Sequence, residues 1–153
     1  MMSFFQVLQK QLLQNHVAIV GLILVSLISV APAYAVTELK RVSLSDPRLE
    51  NAFGAHIIEN INVHHQIQIS ADIQNYQNKS QTVVYLVQIK DENGFVVSLG
   101  WISGQLTSLQ KLTPSLSWVP ESEGEFVAEI YVWDGLKNHN ALDDFSILKI
   151  HVS

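Results

Sequence analysis

The chain has 153 residues, 48% hydrophobic and only 15% charged, with a formal net charge of −5. That balance excludes a disordered chain, and an acidic surface without clustered Lys or Arg lacks the electrostatic footprint of a nucleic-acid binder. The absence of cysteine excludes disulfides, thiolate metal sites, cysteine nucleophiles and a lipid-modified cysteine, so the core alone must hold the fold.

Hydrophobicity is concentrated at the start. Lys10 is the only charged side chain before Val36, and Val17 to Val30 is an unbroken run of apolar or small residues. Ala31-Pro32-Ala33-Tyr34-Ala35 follows, giving a short charged region, an apolar core and a small-x-small cleavage pattern. Residues 1–35 are therefore expected to form one hydrophobic helix, a secretory signal peptide cleaved after Ala35. The alternative is an uncleaved membrane anchor through residues 17–36, since that segment matches the ~20 residues a helix needs to cross a bilayer. On either reading the rest of the chain is expected outside the cell or at its surface. That remainder is long enough for one core and too short for two ordinary domains.

Residues 36–60 read as a connector, with room for a first strand at Thr37–Leu44. Ser45-Asp46-Pro47 carries turn chemistry, and Ser45 or Asp46 suits the cap of a short helical turn through Arg48–Phe53 that Gly54 ends. From Ile61 to Ser153 the pattern is that of strands. Ile67, Ile69, Ala71 and Ile73 alternate with Gln66, Gln68, Ser70 and Asp72, as one buried and one wet face require. Thr82–Lys90 is denser: Val83, Tyr85, Val87 and Ile89 share one face, and Val84 and Leu86 are apolar on the other. An interior strand, or a second covered surface, is implied.

Asp91-Glu92-Asn93-Gly94 then predicts a tight hairpin turn through its Asn-Gly pair, with Phe95–Ile102 returning as the partner strand. Gly104–Thr113 reads as a loop and Ser115–Val119 as a short strand stopped by Pro120. After the acidic Glu121–Glu125 turn, Phe126, Ala128, Ile130 and Val132 alternate through a central strand ending at Trp133. Leu136–Asp144 is a loop and Phe145–Val152 a last strand. About seven strands at hairpin spacing, with no good helix after residue 35, predict an all-β antiparallel sandwich at 61–153.

Two resemblances follow from these residues. Gly124-Glu125-Phe126-Val127-Ala128 is similar to the tyrosine-corner segment of immunoglobulin and fibronectin type III sandwiches, with Phe126 in place of the Tyr and Ala128 in place of the Cys. The corner hydrogen bond is therefore lost. More of the chain resembles small secreted Ig-like proteins of ammonia-oxidising archaea, through Gln68–Asn75, Val87–Gly94, Ser117-Trp118-Val119-Pro120 and Val132-Trp133-Asp134. Where members of that family carry Gly-Gln and Asn-Pro-x-Ala-Leu, this chain has His64-His65 and Asn138-His139-Asn140-Ala141-Leu142. The resemblance implies the fold and export, and no catalytic residue.

Three residue classes could carry chemistry. His56, His64, His65, His139 and His151 lack chelating spacings, and the adjacent His64 and His65 leave opposite faces of an extended strand. Asp91/Glu92, Glu121/Glu123/Glu125/Glu129 and Asp143/Asp144 match no calcium-loop spacing and read as solvated loop acids. No serine-nucleophile elbow or phosphate-cradling glycine loop occurs. No catalytic, cofactor or metal residue is therefore assigned.

Trp101, Trp118 and Trp133 read first as core or end-cap packing. Alternation, however, puts Trp133 with Tyr131 opposite the apolar row. Tyr131, Trp133 and Trp101 are thus the candidate contact surface. The expected function is that of an exported, non-catalytic Ig-like binding or structural module, meeting a protein partner at the envelope or a second copy of itself. Alternatives are a small-ligand module for carbohydrate or metal, or an accessory domain of a membrane complex.

Overall fold

The computed structural model describes residues 40–57 and 61–153; the expected N-terminal helix, signal or anchor, lies outside these. Within the described residues are eight strands, β1 (Val42–Glu50), β2 (Ile67–Asn75), β3 (Gln81–Asp91), β4 (Val96–Leu106), β5 (Lys111–Leu112), β6 (Ser115–Trp118), β7 (Gly124–Trp133) and β8 (Ser146–Val152), and no helix. In the first sheet β2 lies between β1 and the β5/β6 pair; the second runs β4-β3-β7-β8, and every pairing is antiparallel. This is the Ig/fibronectin III-like sandwich that the strand pattern predicts.

The alternating rows meet between the sheets. Ile67, Ile69, Ala71 and Ile73 of β2 are buried against Val83, Tyr85, Val87 and Ile89 of β3 and Phe126, Ala128, Ile130 and Val132 of β7. Trp118 closes one end, packed edge-on against Phe126 at 5.1 Å between ring centroids. That contact takes the place of the tyrosine-corner bond. A hydroxyl does reach between the sheets, but from another strand: Tyr85 on β3 donates to the Ile69 carbonyl of β2 at 3.1 Å. Burial pushes the phenol's pKa far above its usual value, so it stays a donor at any physiological pH.

Several local expectations are corrected. Ser45-Asp46-Pro47 does not end a strand or start a helical turn. β1 runs through it to Glu50, and the register against β2 shifts between Ser45 and Arg48. With Asp46 at φ 50°, the segment is a bulge on an edge strand, where a residue without an N–H is tolerated. The 36–60 stretch thus supplies a full strand of the sandwich rather than only a connector.

The hairpin after β3 forms as the Asn-Gly pair predicts. Asp91 pairs its backbone with Phe95 and its carboxylate accepts from the N–H groups of Asn93 and Phe95, leaving three residues in the loop. Positive φ is needed only at Gly94 (φ 82°), as in a type I turn closed by a left-handed residue. The Gly104–Thr113 loop is shorter than expected, because β4 continues to Leu106 and Lys111-Leu112 pairs with β2.

Removing the inter-sheet hydroxyl takes one donor from the Ile69 carbonyl, which also lies in the β1-β2-β6 ladder. Tyr85→Phe is expected to cost about 0.5–1.5 kcal/mol, read as a lower urea midpoint with an unchanged m-value.

Candidate functional site

The outer faces of the two sheets differ in kind. On β2 the outward side chains are polar, and Arg48 of β1 sits at their centre. Its guanidinium bonds the Glu50 carboxylate at 2.6 Å and the Asp72 carboxylate at 3.2 Å. Ser70 donates to Glu50, and Thr113 and Lys111 reach Asp72. These donors hold both carboxyls below their usual pKa, Asp72 at about 2, led by the Lys111 and Thr113 hydrogen bonds. Among the described residues no buried side-chain polar atom lacks a partner. This face is satisfied within the chain.

The outer face of the second sheet is apolar and aromatic. Register sets its side chains in three tiers across the strands. Ser103, Val84 and Trp133 form one; Trp101, Leu86 and Tyr131 the next; Leu99, Gln88, Glu129 and Ile147 the third. Val84 and Leu86 are buried although they point outward, which accounts for the apolar residues on both faces of β3. Their large cross-strand neighbours shield them.

The three residues singled out from sequence share this face. Tyr131 and Trp133 are tilted neighbours at 5.6 Å, and Trp101 lies across Leu86 from Tyr131, 51% exposed. Trp118, by contrast, is core. Two further rings join the strip: Phe145 stacks on Tyr131 at 5.3 Å, and His139 meets Trp133 edge-on at 5.5 Å. Phe145 reads in sequence as the start of an ordinary strand, and nothing local shows that its ring folds over β7. Leu86, the apolar residue on the wrong face of β3, was the available signal.

Glu129 anchors the polar tier beside the rings. It accepts from Gln88 Nε2 at 3.0 Å, Lys90 Nζ at 2.8 Å and the Tyr131 hydroxyl at 2.8 Å. The ion pair with Lys90 leads in lowering its pKa, while burial and then Glu129 push the Tyr131 phenol up to about 12. A carboxylate so committed is a fixed acceptor and a poor proton carrier.

The remaining candidates are dispersed. His64 occupies a left-handed turn position (φ 65°), His151 pairs with Glu125 at 2.6 Å, and His56 is exposed after β1. Asp143 accepts from the Leu44 N–H, Asp91 caps its hairpin, and Glu121, Ser122, Val97 and Trp118 edge an open recess of about 330 Å³. Among the described residues no three His, Asp or Glu side chains come together as a metal would require.

No family model and no curated protein matches the chain. Solved structures do. The C-terminal domain of Wzt superposes with a TM-score of 0.57 at 13% identity, covering 74% of each chain. The Pseudomonas fluorescens alkylpurine DNA glycosylase AlkC superposes at 0.52 and 12% identity over 74% of this chain but only 30% of its own. A CARDB domain from Pyrococcus furiosus is also similar, at 0.49 and 14% identity over 75% of this chain and 91% of that one. At such identities the likeness concerns the fold.

The ionic face makes stability depend on acid. Asp72 and Glu50 have folded-state pKa values below their unfolded ones, so their contribution is complete above about pH 5 and is lost as pH falls, for Asp72 toward about 2. Urea midpoints measured down this range are expected to fall, and Asp72→Asn is expected to flatten the slope.

Proposed function

We propose that the chain is an exported, non-catalytic binding or structural module whose working surface is the aromatic face of β3, β4 and β7, turned toward a protein partner of the cell envelope. The observation that carries this reading is the continuous apolar strip of Trp101, Leu86, Tyr131 and Phe145 on an outward sheet face. Scattered exposed apolar residues are normal, but a contiguous strip rimmed by polar groups marks a contact surface. Ring stacking and the Glu129 bonds pre-set these side chains, which reduces the entropy lost on binding. The other sheet, with its donors and acceptors already paired, offers a partner little to satisfy.

Export rests on the sequence order of the first 35 residues. Envelope placement would explain how a small acidic domain without disulfides is paired with an apolar leader. The intact mass of the native protein is expected to lack Met1–Ala35; a mass that includes them moves the reading to a membrane-anchored accessory domain.

A photo-crosslinking residue placed at Ile147, on the aromatic face but away from β4, is expected to yield protein adducts in the native envelope. The same residue at Gln74, on the ionic face, is expected to yield none. Equal labelling from both positions would remove the face assignment. A glycan-array signal abolished by Trp101→Ala would replace the protein partner with a carbohydrate.

A further inference from the structure

A β-sheet must terminate somewhere, and each terminal strand presents unpaired N–H and C=O groups that invite another strand. Three of the four edges here carry devices that discourage this. β1 is bent by the Asp46-Pro47 bulge. The β5/β6 edge is interrupted at Thr113-Pro114 into pieces of two and four residues. β8 bears Lys149 and His151, and its end is engaged by Ile61, which bridges Val152 and accepts from the Ser153 N–H.

The fourth edge, β4, carries none of these along most of its length. Its eleven residues, Val96–Leu106, include no charged residue and no proline, and the one register shift falls at the start, between Val96 and Ser98. Leu99 and Trp101 are exposed on its outer side and Ile102 on its inner side. Among the described residues only β3 pairs with it.

We infer that β4 is the site where a second copy of this chain adds, antiparallel across a two-fold axis, to make one continuous eight-stranded sheet. Charge selects this occupant. An acidic chain repels its own copies over most surfaces, but the uncharged β4 does not.

The two ends of the strand are also opposite in sign. Beside its start lie Asp91 and Glu92 of the hairpin, with Glu121, Glu123 and Glu125 around the adjoining recesses. Beside its end lies the exposed Lys79: Asn75 Nδ2 donates to the carbonyls of both Lys79 and Thr107, fixing that lysine's backbone next to the residue that follows β4. Antiparallel pairing sets the acidic end of one copy against Lys79 of the other, twice per dimer. A parallel arrangement would set acid against acid. The two-fold also brings both copies' Leu99 and Trp101 onto one face, as isologous pairing requires.

This inference uses an edge rather than the aromatic face, so either can fail alone. Sedimentation equilibrium of the full chain in mild detergent is expected to give twice the chain mass, with the dimer weakening several-fold as salt rises and the Debye length falls from ~30 Å at ~0.01 M to ~3 Å at ~1 M. Ile102→Lys puts an inward charge on the edge and is expected to give single chains. Lys79→Glu, remote from the core, sets acid against acid and is expected to weaken the dimer several-fold and reverse its salt dependence. A full chain that is monomeric at high concentration, or a dimer that both substitutions leave intact, overturns the inference. So does a monomer that instead takes up an extended peptide along β4.

Discussion

Holding two sheets face to face without a disulfide is the constraint on which this structure depends. The inward rows of β2, β3 and β7 meet it by burial, and Trp118 against Phe126 seals one end. The Tyr85 hydroxyl adds direction to that non-directional contact. By reaching the Ile69 carbonyl it favours one lateral offset of β3 over β2, because a slip of one sheet over the other would carry the hydroxyl out of hydrogen-bond reach. Where antibody domains use a cystine and a tyrosine at the corner strand, this chain has Ala128 and Phe126, and the polar link sits on β3.

The facing of β3 determines what each outer face can be. With Val83, Tyr85, Val87 and Ile89 turned inward, Val84 and Leu86 must face out, and an outward apolar pair at the middle of a sheet needs cover. Trp101, Tyr131 and Trp133 supply it from the neighbouring strands and become a surface feature in doing so. On the other sheet the same alternation turns out Gln68, Ser70 and Asp72: Ser115 donates to Gln68, Ser70 donates to Glu50, and Arg48, Thr113 and Lys111 bond Asp72. The two exteriors therefore follow from two strand sequences and one register.

Most of this architecture was readable from alternation, because a period of two depends only on the pleat. The strand at Gly124–Trp133, the β3–β4 hairpin and the placement of Tyr131 and Trp133 opposite the buried row all came from that signal. What escaped it was local chemistry with more than one outcome. Asp46-Pro47 has the same turn preference whether it ends a strand or bulges one, and only pairing with β2 decides. Asn93-Gly94 marks a tight hairpin, but the three-residue length of its loop is set by the Asp91 carboxylate, a contact the Asn-Gly pair does not encode. Phe145 and His139 join the aromatic strip through a loop ordered by Asp134 and Asn140, a contact between positions that no periodicity connects.

The topology also sets an order of assembly. β3 and β4 are adjacent in sequence and can zip as a hairpin soon after both exist, but the other side of β3 pairs with β7, which follows β4, β5 and β6 in the chain. Non-local pairings of this sort close slowly because the intervening loop must be ordered first. For a chain that emerges N-terminus first, β3 therefore waits with its second edge open and its inward row exposed until Gly124 and the residues after it arrive. Val83, Tyr85, Val87 and Ile89 are then the segment most in need of protection during synthesis. The strand at the centre of the finished sheet is the most vulnerable one while the chain is incomplete.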